Sequence, residues 1–304
     1  TPTQLRTKTK ARAVAGPSLH FRLGYRPPYD WDAVLEFLSM RRIAGVEVIE
    51  DGEYRRSICL GAQYSLLRVR QDKANHQLVC SVSHAPENEL LSLTEKLRNM
   101  FDLYADPIEI SHVLGQEPRL KQSLNKHPGL RVAGCWDGFE TCVRAIVGQQ
   151  ISVAGAITIV GRLVERYGVE CDLGAGISHA FPSSQKLAAE LELEHLAMPR
   201  ARAQAILNLC QAHASGTIDF DIMSSTELMH ALQNIKGIGP WTASYVALRA
   251  MHEPDIMPME DLVLQKMIVP GKRLTAKQLA TKSQAWRPWR AYATLHLWQL
   301  ANKK

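Results

Sequence analysis

The hydrophobic period of this chain changes once, near Asp106-Pro107, and that change limits the possible folds more than any other feature. Before it, apolar residues recur at every second position. Leu19, Phe21, Leu23 and Tyr25 fall on one face, with His20, Arg22 and Arg26 on the other, the pattern of a half-buried strand. Shorter alternating runs follow around Val46/Val48, Ile58/Leu60, Leu67/Val69 and Leu78/Cys80/Val82. Asp30, after Pro27-Pro28-Tyr29, can cap a helix carrying Val34, Leu35, Leu38 and Ile43. Residues 87–103 form a second amphipathic pattern, with Leu90, Leu93, Leu97, Met100 and Phe101 inward. A small antiparallel α+β domain is expected over residues 18–107.

After Asp106-Pro107 the alternation stops and a helical period takes over. It marks residues 139–147, 153–167, 184–191, 200–214, 227–235, 240–251, 262–267, 276–285 and 289–300. Capping-box spacings at Ser224/Glu227 and Thr275/Gln278 support two of these starts. The fold class expected is α+β: a small sheet domain with flanking helices, then an all-α body in two parts. Those parts are residues 138–253, and residues 108–137 together with 254–304. Residues 1–17 hold four cations and few large apolar side chains, and are expected to form a flexible basic arm.

Composition closes off several function classes. A length of 304 residues suits about two domains, and 46% hydrophobic with 22% charged residues is a globular balance. The longest uncharged stretch, 145–161, contains Gln149, Gln150 and Ser152 and falls short of the ~20 apolar residues that span a bilayer. Six cysteines without a C-x-x-C spacing argue against a zinc site or an iron–sulfur cluster, and suit reduced thiols in a cytoplasm. The net charge of +6 lies in residues 1–26, which carry six basic groups and no acid. The remainder is neutral, so a polyanion would be met by a local patch rather than by overall charge.

The segment richest in chemistry is Lys236-Gly237-Ile238-Gly239-Pro240-Trp241-Thr242-Ala243. A helix must end near Ile235, where the glycines relax the backbone, and another starts with Pro240 in its first turn. Backbone N–H groups of Gly237, Ile238 and Gly239 would face outward at a positive helix N-terminus, a seat for one phosphate. The same spacing also suits a plain hairpin between two core helices.

This motif, with an acid some twenty residues beyond it, resembles the helix-hairpin-helix/Gly-Pro-Asp superfamily of DNA glycosylases. Within it, the chain is most similar to the bacterial DNA-3-methyladenine glycosylase II, or AlkA, type. Supporting segments include Tyr29-Asp30-Trp31, Phe101-Asp102-Leu103, Gly134-Cys135-Trp136-Asp137-Gly138-Phe139-Glu140, Arg144-Ala145-Ile146-Val147-Gly148-Gln149 and Trp286-Arg287-Pro288-Trp289-Arg290. The resemblance runs from about residue 20 to 300 and implies a site residue by residue. Asp261 would be the catalytic carboxylate, although by position alone it could simply cap a helix at Leu262, and Glu260 and Asp255 are nearby rivals. Trp241, Tyr245 and Trp298, with Phe37 and Arg41 from the N-terminal domain, would line the pocket for a flipped base, where an ordinary core stripe is the other reading. Gln150 would be the wedge that fills the gap in the duplex, in a place where relatives carry leucine, or else an exposed loop amide. Lys236 would meet phosphate or solvent, beside the hairpin residues Gly237, Ile238 and Gly239.

The implied activity is hydrolytic excision of N-alkylated purines (3-methyladenine and 7-methylguanine types) from double-stranded DNA, leaving an abasic site. Such a base already carries positive charge and departs neutral, so one carboxylate to steady the sugar cation suffices. Trp241 stands where strand-cutting relatives carry a Schiff-base lysine, which favours a monofunctional hydrolase. No organic cofactor is expected, though a monovalent cation could sit at the hairpin. A monomer in a bacterial cytoplasm, associated with the nucleoid, is expected. Two rival readings stand beside this: a glycosylase for oxidised or mismatched bases, and a non-catalytic damaged-DNA-binding module of a transcriptional regulator. The second draws on Thr1-Pro-Thr-Gln-Leu-Arg6, similar to the tail of arabinose-operon-type regulators, and on the missing initiator Met, which suggests processing or a longer chain.

Overall fold

The structure is a computed structural model that describes residues 18–301, so the expected basic arm lies outside the described residues. Its first part contains β1 (Leu19–Gly24), α1 (Trp31–Ser39), β2 (Glu47–Glu50), β3 (Glu53–Leu60), β4 (Gln63–Asp72), β5 (Gln77–Val82) and α2 (Leu90–Met100). The strands form one antiparallel sheet in the order β1-β5-β4-β3-β2. Alternation sends Leu23, Tyr54, Leu67 and Leu78 to the face covered by Val34 and Leu38 of α1 and Leu93 and Leu97 of α2. Asp30 caps α1 by accepting from Ala33 N–H, as its position implies. Ile43 does not belong to that helix, which ends at Ser39; it packs with Val46 into the core of the helical body.

The body contains α3 (Pro107–Leu114), α4 (Pro118–Lys126), α5 (Gly138–Val147), α6 (Val153–Tyr167), α7 (Ser184–Glu190), α8 (Arg200–Ala214), α9 (Ser225–Gln233), α10 (Pro240–Ala250), α11 (Leu262–Met267), α12 (Ala276–Lys282) and α13 (Arg290–Ala301). Both capping boxes form. The body is not all-α, however. A hairpin of β6 (Val169–Gly174) and β7 (Ile177–Ala180) interrupts it after α6. Its turn runs through Gly174, Ala175 and Gly176, all at positive φ, and Ser178 and His179 both donate backbone N–H groups to the Gly45 carbonyl. Docking against the neighbouring domain stabilises strands too short to announce themselves by pattern. The helices α3 and α4 were not expected either. Each starts at a proline, and Asp106 caps α3 through Ile108 and Glu109 N–H groups. Among the described residues no helix is long and apolar enough to cross a membrane.

Buried side chains gather into three clusters: one under the sheet, one among α5, α6 and α8 to α10, and one around α3, α4, α11, α12 and α13. Helix α10 serves two of them, through Val246 on one side and Leu248 on the other. The sheet meets α5 through buried charges. Arg56 on β3 donates to Glu140 on α5 at 2.8 Å, and Arg144 donates to Glu47 on β2 at 2.7 Å and also to Glu140. Tyr54 Oη and the Ile43 N–H complete the bonding of Glu47, at 2.8 and 3.1 Å.

Burial raises the Glu140 carboxyl, but Arg56 and Arg144 outweigh burial and hold it at about 2, against an ordinary 4.5. Its contribution to stability is full above that ordinary value and is lost as pH falls through the folded one. Glu140→Gln leaves two arginines without their shared partner, so urea unfolding at neutral pH is expected to lose about 3–5 kcal/mol. That deficit shrinks as the comparison is repeated at progressively lower pH.

Candidate active site at the hairpin cleft

The hairpin is built by backbone geometry. Helix α9 ends at Gln233, and the Ile238 N–H donates to the Ile235 carbonyl at 3.0 Å to close the turn. Gly237 sits at φ +102°, where L side chains are strained, and a Cβ there would come 3.0 Å from the Ala205 Cβ. Pro240 occupies the first turn of α10, which Gly239 precedes in extended conformation. The reading of three outward N–H groups needs correction at Ile238. Its N–H is spent inside the turn, and its side chain is only 4% exposed in the core. Gly237 and Gly239 are exposed, and their N–H groups have no acceptor among the described residues. Lys236 is exposed beside them.

The loop after α5 is pinned to this hairpin by Gln149, whose Nε2 donates to the Gly237 carbonyl at 3.0 Å and lies 3.1 Å from Thr242 Oγ1. Gln150 follows in a left-handed conformation, φ +57°, with its side chain exposed. Ile151, 37% exposed, and Val153 continue an apolar edge on the same loop.

The three acids near α11 separate cleanly. Glu260 is exposed. Asp255 is tied to Arg290 through bonds of 2.7 and 3.0 Å and to Arg287 at 2.8 Å. Asp261, 7% exposed, is the N-cap of α11: its Oδ1 accepts from Val263 and Leu264 N–H groups at 2.8 and 3.0 Å. Capping does not exhaust it, because Oδ2 accepts the Trp241 indole N–H at 2.9 Å. Three donors therefore fix the carboxylate, and one of them is a residue of the expected base pocket.

From Trp241 the aromatic wall continues. Trp241 and Tyr245, one turn apart on α10, stack offset with ring centres 5.3 Å apart and planes at 8°. Trp298 of α13 stands 6.4 Å from Tyr245. Phe37 and Arg41 reach the same place from α1 and the turn after it. Arg41 lies 3.9 Å from the Phe37 ring centre, and Arg249 lies 4.1 Å from it. The structure thus joins Asp261, Trp241, Tyr245, Trp298, Phe37 and Arg41 into one continuous group, and places Lys236, Gly237, Gly239 and Gln150 on the adjoining surface.

Arg249 was not singled out by sequence reasoning, although it stands one turn beyond Tyr245 on the same helix face. Burial lowers its pKa and Tyr245 opposes that. For Tyr245, burial works upward, but Arg249 and Arg41 outweigh it, and the phenol titrates below its ordinary value. Gln149 was likewise quoted without a role.

Comparison with known proteins agrees with this geometry. The family model described as AlkA N-terminal domain matches residues 20–137, and that of HhH-GPD superfamily base excision DNA repair protein matches residues 143–291. DNA-3-methyladenine glycosylase 2 of Escherichia coli is 36% identical over 281 residues, covering 91% of this chain and 96% of that protein. The chain belongs to the HhH-GPD superfamily of DNA glycosylases. A probable bifunctional transcriptional activator/DNA repair enzyme AlkA of Mycobacterium tuberculosis is 35% identical over 98% of this glycosylase, which spans 61% of that relative's length. The solved 3-methyladenine DNA-glycosylase of Archaeoglobus fulgidus shares the fold at a TM-score of 0.79, with 20% identity over 93% of this chain and 98% of that one.

Asp261→Asn keeps an acceptor for the α11 cap but turns an amide N–H toward the Trp241 N–H. The substitution is expected to cost about 1–3 kcal/mol of stability while preserving the fold, as measured by chemical denaturation alongside far-ultraviolet circular dichroism.

Proposed function

We propose that this chain excises N-alkylated purines from double-stranded DNA by base flipping and hydrolysis, leaving an abasic site for base excision repair. The observation that carries this reading is the Trp241–Asp261 hydrogen bond, which seats a fixed carboxylate at the edge of an aromatic wall. As the glycosidic bond breaks, the sugar gains oxocarbenium character. Asp261 steadies that charge and orients the incoming water, already held in place by three donors. The faces of Trp241, Tyr245 and Trp298 offer cation–π attraction to a positively charged ring, on the order of 0.5–2 kcal/mol each. That attraction favours an alkylated purine over its normal counterpart.

The surface beside the cleft supports duplex binding. Gly237 and Gly239 present free N–H groups to one phosphate, with Lys236 beside them. Gln150, on the pinned loop, would enter the stack, its amide meeting the orphaned partner base and Ile151 adding apolar area. Trp241 has no amine, so no Schiff base forms at that position and the DNA strand is left uncut. The carbonyls of Ile235 and Gly237 already accept hydrogen bonds, and no step proposed here runs through a cation at the hairpin. The enzyme would act as a monomer in a bacterial cytoplasm, on the nucleoid.

Duplex DNA treated with a methylating agent is the direct test, with released bases identified by chromatography. Wild type is expected to free 3-methyladenine and 7-methylguanine. Asp261→Asn is expected to slow release on the order of 10²–10³-fold. Equal rates from the two proteins overturn the assignment. Trp241→Phe, which keeps an aromatic face but removes the N–H donor to Asp261, is expected to lower the single-turnover rate by about tenfold for the loss of one charge-assisted bond.

A further inference from the structure

Resting on the glycosylase reading, we propose that the Tyr245 hydroxyl gives its proton to the departing base, and that Arg249 and Arg41 hold the phenolic oxygen for that transfer. The two guanidinium groups are an unusual investment. Arg249 is 4% exposed, with its Cζ 5.6 Å from the Tyr245 ring centre and 5.9 Å from that of Trp298. Its protein acceptor is the Ala133 carbonyl at 2.8 Å, and its Nε has no partner among the described residues. Arg41 donates to the Phe37 carbonyl at 3.1 Å. Among the described residues no carboxylate pairs with either arginine.

Two uncompensated cations beside one ring repel each other and lose hydration, which a leucine or methionine filling the same space would avoid. Both instead face the Tyr245 oxygen and donate to it. An oxygen that accepts two charge-assisted bonds keeps its own O–H free to donate. The groups facing it are Arg249 on its own helix and Arg41 from the turn after α1, while Cys135 lies beside Arg249. Trp241 separates this phenol from Asp261: it bonds the acid at its indole N–H and stacks on Tyr245 with its ring. A sugar placed at Asp261 would thus send its base along the wall toward Tyr245.

The chemistry follows from charge. An N-alkylated purine leaves as a neutral molecule without help. An uncharged purine takes the electron pair of the C1′–N bond and becomes an anion unless it is protonated. In the proposed step that bond breaks, the pair goes to the base nitrogen, and the Tyr245 proton moves to the base. The phenolate is balanced by Arg249 and Arg41. Water then adds to C1′ and gives its proton to Asp261, and solvent returns one proton from Asp261 to Tyr245. Arg249 acts through Tyr245 and is a positioning residue.

Single-turnover release is measured from duplexes carrying either 7-methylguanine, a cationic base, or hypoxanthine, an uncharged one. Tyr245→Phe is expected to lower the ratio of hypoxanthine to 7-methylguanine release by about 30-fold or more, within the range of general-acid catalysis. An unchanged ratio overturns the proposal, as does a wild type that frees 7-methylguanine but no hypoxanthine. A wild type that frees neither base overturns the glycosylase reading itself. Should Tyr245→Phe fold poorly, difluorotyrosine at position 245 keeps the hydroxyl and makes it more acidic. It is expected to move the alkaline limb of the hypoxanthine rate profile to lower pH, and an unmoved limb overturns the proposal. Arg249→Met is expected to raise the pH at which Tyr245 ionises, read by tyrosinate absorbance, with Arg249→Lys restoring part of the shift. An unchanged titration in Arg249→Met overturns the part assigned to Arg249.

Discussion

The buried charges between β2, β3 and α5 are the joint on which the cleft depends. Apolar contacts alone would let the sheet settle on the helical body in more than one register, because they are non-directional. Glu47, Arg56, Glu140 and Arg144 accept fewer arrangements: each carboxylate must meet its guanidinium groups, and a shifted register would leave ions buried without partners. The joint also reaches the cleft directly. Arg144 Nη1 donates at 2.6 Å to the carbonyl of Arg41, the residue that carries its guanidinium to the Phe37 ring. Placement of the N-terminal part of the pocket is thus set by an ionic contact outside it.

Much of the fold was legible because the body repeats its signals. The helices at 153–167 and 200–214 have the bounds read from the apolar period, and both capping boxes close with reciprocal bonds. The β6–β7 hairpin escaped that reading for a physical reason. Asp172 and Gly174 dilute its alternation, and its support comes from Gly45, more than a hundred residues earlier in the chain. Helices α3 and α4 are short and begin with proline, so their evidence was a cap and a first-turn residue rather than a stripe. Ile43 shows the opposite error, a correctly buried residue attached to the wrong element.

The cleft was legible by residue type but not by bonding. The order of motifs pointed to Asp261 and to the aromatic set. It did not show that Trp241 serves both, which takes the side-chain geometry of α10 against α11. Arg249 was hidden because an arginine in a helix is ordinarily a solvated charge, and only the fold reveals that Phe37 arrives from another domain to bury it. The turn itself corrected the third expected phosphate donor: Ile238 is a core residue whose N–H holds the reversal closed.

The double engagement of Trp241 also shapes how such a site can diverge. A residue that forms part of the wall and steadies the carboxylate cannot be exchanged to reshape the first without loosening the second. Phe37, Arg41 and Trp298 carry no bond to Asp261, and two of them belong to a domain whose seating is set elsewhere. Adaptation to new lesions would therefore run through the sheet domain and the last helix, leaving the indole and its acid as the inherited pair.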